Sequence, residues 1–147
     1  MITEDYCNFE ISKLLKEKGF KECCSYCYGV AVLHNGVAIS FDEECELKDE
    51  GRKNEIEYIE GGILYDFNYK NRDDDSKVWA APTLWSTMKW LREVHNIAIE
   101  TEWEHLWYAY IKPMTSNPTE DDYYQCSSAK YEEAIEAAIK YCLENLI

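Results

Sequence analysis

A chain of 147 residues, 46% hydrophobic and 14% aromatic, carries enough apolar surface to bury a core without staples, which excludes a disordered tail or a disulfide-held miniature domain. Twenty-nine acidic residues against fifteen basic ones give a formal net charge of −14, which disfavours direct nucleic-acid binding and association with anionic membranes. No run reaches the ~18 apolar residues needed to span a bilayer, and seven cysteines behind an N-terminus with no apolar leader predict free thiols in the cytoplasm.

Residues 3–18 read as a first helix, with Thr3 as cap, Glu4 and Asp5 in the first turn, and Cys7, Ile11, Leu14 and Leu15 along one side. Ile2 is placed to staple onto Cys7, and Gly19 ends the helix. From Ser25 to Phe41 the period changes to two and is interrupted by Asn35-Gly36, the pair that supplies both positive φ angles of a type I′ hairpin turn. The acidic segment from Asp42 to Asn54 reads as a solvated connection. Strand character resumes over Ile56 to Asn68, with Gly61-Gly62 as the candidate turn of a second hairpin, and residues 70–77 read as a polar loop.

Ala80 to Glu102 is the clearest stretch of the chain. Leu84, Met88, Leu91 and His95 recur at helical spacing, with Thr87 and Val94 beside them and Trp85 and Trp90 widening the face. Thr83 is the expected N-cap after Pro82, Asn96 the left-handed stop, and Ile97, Ile99 and Thr101 begin a strand. Trp103 to Ile111 is a second strand, paired back through a turn near Glu102 to Glu104 and ended by Pro113. Residues 113–127 form the longest irregular stretch and read as a mobile loop. A last helix runs from about Ala129 to Leu146, capped by Ser127 or Ser128. The order predicts a single α+β domain over residues 1–147, with about three helices packed on one face of a mainly antiparallel sheet.

Three helical runs, ITEDYCNFEISKLLKEKGF, APTLWSTMKWLREVHNI and YEEAIEAAIKYCLENLI, resemble a family of small uncharacterised proteins of gut-bacterial phages and mobile elements. The resemblance covers about a third of the chain. It implies a cytoplasmic accessory protein of a bacterial host cell, with anti-defence as the expected role, and it carries over no site residue.

Spacing alone nominates little chemistry. Cys24-x-x-Cys27, with Cys23 beside it, has the spacing of half a zinc knuckle, but Cys7, Cys45, Cys126 and Cys142 are scattered singly, so no metal site is expected. Nothing in the sequence links His34, His95 or His105 to a cysteine nucleophile. Ser86-x-x-Lys89 lacks the companion motifs of serine β-lactam enzymes, and Asp73-Asp74-Asp75 lacks the glycine and closing glutamate of a calcium loop. Glu100, Glu102 and Glu104 would share one face of a strand, with Lys112 and Arg92 as the nearest candidate counter-charges.

The aromatic surplus is the strongest functional signal. Trp103, Trp107, Tyr108 and Tyr110 in one strand, with Lys112 after them and Tyr123 and Tyr124 in the loop, form the expected ligand-binding set, because exposed Tyr and Trp favour recognition. The expectation is a non-catalytic binding protein with no cofactor. It would sequester a small anionic, nucleotide-like signalling ligand, with Lys89, Arg92, Lys112 and Lys130 as candidate phosphate contacts. The alternatives are an acidic inhibitor that docks on a basic host protein through Glu43, Glu44, Glu46, Asp49 and Glu50, and a small cysteine- or metal-dependent enzyme. Self-association into a homo-oligomer stays open.

Overall fold

The protein is an α+β chain with antiparallel sheets, seen in a computed structural model that describes residues 5–115 and 124–147. The expected cap Thr3, the staple residue Ile2, and residues 116–123 of the expected loop, Tyr123 included, lie outside the described residues. The chain divides into two compact units, residues 22–80 and residues 1–21 with 81–147. Each has its own sheet, so the single sheet expected from the order of elements is replaced by two.

In the unit of residues 22–80, β1 (Cys24–His34) is central. It pairs antiparallel with β3 (Ile56–Tyr69) from Cys24 opposite Tyr69 to His34 opposite Ile56, and its other edge carries β2 (Val37–Ala38) and β4 (Trp79–Ala80). Asn35 and Gly36, at φ 53° and 76°, turn β1 into β2 as expected. Gly61-Gly62 is not a hairpin turn. β3 is one strand of 14 residues, and the glycines lie where its ladder with β1 steps from Ile63 opposite Gly29 to Glu60 opposite Val30. Gly61 sits at φ 71°, and a Cβ on Gly62 would lie 2.7 Å from that of Ala31, so this irregularity needs glycine twice.

The acidic connection expected after Phe41 is a fourth helix, α2 (Phe41–Asp49). The Ser40 hydroxyl accepts the Glu43 N–H at 3.2 Å, Asp42, Glu43 and Glu44 lie in the first turn, and Lys48 lies in the last, an arrangement that complements the helix dipole at both ends. Lys48 pairs with Glu44 at 2.8 Å, and the Tyr58 hydroxyl donates to the same carboxylate at 2.8 Å. Beyond α2, Arg52 donates to both oxygens of Glu55 at 2.6 and 3.0 Å. The segment from Lys70 to Val78 is tied back through the buried Asn71, whose side-chain oxygen accepts the Ala80 N–H at 2.9 Å.

The other unit matches the expected layering: α1 (Phe9–Glu17), α3 (Leu84–His95) and α4 (Tyr131–Asn145) with a three-stranded antiparallel sheet, β5 (Ile97–Glu104), β6 (Leu106–Pro113) and β7 (Tyr124–Ser128), in that spatial order. α4 packs on β6 and β7, α3 on β5, and both α1 and α3 on α4. α1 starts later than expected, with Asn8 rather than Thr3 as cap; its side chain accepts the Ile11 N–H at 2.9 Å. Asp5 to Cys7 instead bridge to the start of α3, Cys7 N–H donating to the Pro82 carbonyl and Leu84 N–H to that of Asp5, each at 2.8 Å.

α3 begins and ends as expected, at Thr83 and at Asn96 with φ 56°. Leu84, Thr87, Trp90 and Leu91 are buried, and Phe20 meets the Trp90 ring edge-on with centroids 5.4 Å apart. Trp85 and Val94 face solvent, so only Trp90 of the two tryptophans widens the apolar face. The turn between β5 and β6 is centred on His105, at φ 65°, beyond the Glu102–Glu104 position expected, so β5 runs on to Glu104 and takes in Trp103, and β6 starts at Leu106. α4 starts at Tyr131; the Ser128 hydroxyl, on β7, accepts the Lys130 N–H at 3.2 Å and donates to Glu133 at 2.7 Å.

Two outcomes follow from these contacts. Thr83→Ala should lower the free energy of urea unfolding by about 1 kcal/mol, the usual cost of an N-cap, whereas Thr83→Ser should recover most of it. The Arg52 guanidinium beside Glu55 lowers that carboxyl's pKa to about 2. Its folded value lies below its unfolded one, so the stabilisation is present at neutral pH and is lost as pH falls through about 2. An NMR titration of the Glu55 carboxyl should show this midpoint, and Arg52→Gln should return it to the ordinary carboxylate range.

Candidate functional site

Alternation in a strand assigns successive residues to opposite faces, and the β5–β6–β7 sheet shows what this does to the aromatic cluster. On one face the ladder pairs are Ile97 with Pro113, Ile99 with Ile111, Thr101 with Ala109 and Trp103 with Trp107, continued by Tyr124, Cys126 and Ser128 of β7. Ala109 and Ile111 are fully buried there. On the other face Glu100 is opposite Tyr110, Glu102 opposite Tyr108 and Glu104 opposite Leu106, with Gln125 and Ser127 beside the two tyrosines.

The expected binding set is therefore divided by the pleat. Trp103, Trp107 and Tyr124 belong to the helix-covered face: Trp107 meets Tyr131 of α4 edge-on at 5.0 Å, Trp103 lies against Trp107 at 5.4 Å, and Tyr124 stacks on Tyr141 of α4 at 3.6 Å. Tyr108, Tyr110 and Lys112 belong to the outward face, and Tyr123 is outside the described residues. The two groups do not form one continuous surface.

The outward face has an electrostatic character the sequence only half reveals. Glu100, Glu102 and Glu104 are exposed in a row along β5, and the rings of Tyr108 and Tyr110 lie nearly parallel beside them, centroids 6.2 Å apart and planes 18° apart. Lys112 is bonded to Glu100, as the spacing suggested. Glu102 and Glu104 have no cationic partner among the described residues, and Arg92 is not the counter-charge expected. A shallow concavity of about 410 Å³ is lined by Glu100, Thr101, Glu102, Tyr110 and Lys112. Burial, then the Glu102, Glu104 and Tyr108 charges, push the Tyr110 phenol up, and Lys112 only partly opposes them.

The other candidate groups are engaged or dispersed. Lys89 lies 4.0 Å from Glu93 and Lys130 4.0 Å from Glu133, on separate helices. In the acidic 42–50 segment Glu44 is held by Lys48 and Tyr58, and Glu50 by Arg52. The signal that could have identified α2 was the Ser40-x-x-Glu43 spacing just before it.

The cysteines are free thiols, and four of them are buried. Burial, with Cys23, Glu22 and Cys27 adding to it, pushes Cys24 up to about 12, and burial pushes Cys142 to about 12. Cys27 and Cys126 are shifted in the same direction by burial. A raised pKa leaves these sulfurs as protonated thiols at neutral pH, which is the opposite of nucleophile activation. The Cys7 thiol lies 3.1 Å from the Thr87 hydroxyl, which itself donates to the Thr83 carbonyl, so Cys7 is the donor. His34 is 3.5 Å from Glu55, and His105 serves the turn. Among the described residues no group of three or more His, Cys, Asp or Glu is gathered closely enough to hold a metal ion.

No protein-family model, curated protein or solved structure matches this chain. If the glutamate row sets the field over the tyrosines, Glu102→Gln should lower the pKa of Tyr110 and Lys112→Gln should raise it. Ring-labelled tyrosine NMR across pH 8 to about 12 would measure both shifts.

Proposed function

We propose that this chain is a non-catalytic binding protein whose outward β5–β6–β7 face receives an arginine- or lysine-rich segment of a basic protein. One observation carries the reading: a row of three exposed glutamates runs alongside a parallel pair of tyrosine rings, with Lys112 bonded to only one of the three. A guanidinium can lie on a tyrosine face while it forms a bidentate pair with a neighbouring carboxylate, so ring and charge act on the same cation. The net charge of −14 would steer such a partner from a distance.

Sequestration of a nucleotide-like anion on this strand has less support. Lys112 is already bonded to Glu100, and an incoming phosphate would meet Glu102 and Glu104. The acidic-inhibitor reading keeps its partner and changes its surface, from α2, where Glu44 and Glu50 are held in intramolecular pairs, to β5. If the helical runs do mark a phage-borne accessory protein, the partner would be a protein of the host cell.

Binding of a nona-arginine and a nona-lysine peptide, measured by calorimetry over a salt series, tests the proposal. Glu102→Gln with Glu104→Gln should weaken binding at least tenfold and flatten its salt dependence. Tyr108→Ala should erase any preference for arginine while leaving the melting temperature within a few degrees. Glu43→Gln with Glu46→Gln on α2 removes the same charge elsewhere and should change affinity less than twofold. Equal losses from the two double variants would reduce the effect to bulk charge and overturn the proposal.

A further inference from the structure

The outer side of β5 is a free strand edge. β5 is the end strand of its sheet and pairs only with β6, so its other row of backbone N–H and C=O groups has no strand partner among the described residues. Such a row is a template for one more strand, and folded chains blunt it by keeping it short, covering it or charging it. α3 packs on β5, whose one buried residue is Ile97, but from Glu100 to Glu104 every residue is exposed. Both faces of this stretch are open, since Trp103, on the face opposite the three glutamates, is 57% exposed although its ring lies against Trp107. β7, at the other end of the sheet, has five residues and α4 packed on it.

Charge selects the occupant of this edge. Glu100, Glu102 and Glu104 recur at every second residue on one face, about 7 Å apart along the strand. A second copy of β5 laid antiparallel on the edge and centred on Glu102 would set glutamate opposite glutamate at all three positions, and like charges directly opposite are destabilising. Opposite charges in the same places stabilise the pairing, so the edge rejects its own copy and fits a strand with cations at alternate positions. The residues between those cations fall on the other face, beside Thr101 and Trp103, where an apolar side chain covers the exposed indole. A segment held on the glutamate face alone never meets Trp103.

We propose that the basic partner segment binds by strand addition to the free edge of β5, with arginine or lysine at every second position and β-branched or aromatic residues between them. Strand addition rests on the docking of a basic segment proposed above, and it fixes that segment's conformation, its sequence pattern and its contact with the second face of the sheet. Two end-blocked hexapeptides of one composition and charge test it by calorimetry on the full chain: Arg-Thr-Arg-Val-Arg-Thr should bind at least tenfold more tightly than Arg-Arg-Arg-Thr-Val-Thr. Amide exchange followed by NMR needs no variant. On saturation with the alternating peptide, every second N–H from Glu100 to Glu104, those pointing away from β6, should slow at least tenfold. Trp103→Ala should weaken the alternating peptide at least fivefold and the blocked one less than twofold. Equal affinities of the two peptides, or β5 amides that stay unprotected, overturn strand addition; if the Glu102/Glu104 double variant still weakens both peptides, the docking face stands without it. No binding by either peptide or by nona-arginine overturns the face itself, and strand addition with it.

Discussion

Burial of Ala109 and Ile111 in the centre of β6 is the constraint on which the unit of α1, α3, α4 and the three-stranded sheet depends. Both are fully inaccessible, α4 packs on their strand, and their ladder partners Thr101, Ile99, Cys126 and Tyr124 share that face. A slip of one residue in β6 would bring Tyr108, Tyr110 and Lys112 beneath the helix, exchanging dispersion contacts for desolvation of an ammonium and two hydroxyls. The same pleat that buries Ile111 therefore holds the tyrosines outward, and packing on one face determines recognition chemistry on the other.

Ion pairs absorb part of the negative charge in both units, and in the unit of α1, α3 and α4 they include Lys89 with Glu93 and Lys140 with Glu10. In the unit centred on β1, Glu44, Glu50, Glu55 and Asp74 each meet a lysine or arginine close by in the chain, within the span from α2 to β4. These are exposed pairs of modest worth, and their effect is mainly to consume local charge and organise turns. Along β5, by contrast, Glu102 and Glu104 are left to solvent beside two rings. Carboxylates already committed to internal pairs must give them up to bind a partner, whereas Glu102 and Glu104 have no ion pair to give up among the described residues.

The cysteines follow from the same logic of burial. Cys7, Cys24, Cys27 and Cys142 lie in the interior as small apolar side chains, and desolvation raises the thiols of Cys24, Cys27 and Cys142. The half-knuckle spacing of Cys24 and Cys27 falls within β1, where both side chains are buried.

Local chemistry by itself determined a good part of this protein. The Asn35-Gly36 turn, the Thr83 cap, the Asn96 stop and the alternation of Glu100, Glu102 and Glu104 depend on neighbours a few residues away, so they are legible along the chain. α2 was legible too, through Ser40 and Glu43, but its single buried residue, Leu47, gave no apolar stripe to find. Tertiary structure alone decided that Gly61-Gly62 is taken up in a continuous ladder, because β1 runs 11 residues beside it and offers partners on both sides of the glycines. It also decided that the strands form two sheets, and that Trp107 meets Tyr131 and Tyr124 meets Tyr141. Those outcomes rest on pairings between residues far apart in the chain, and periodicity reports which residues share a face without reporting what that face will meet.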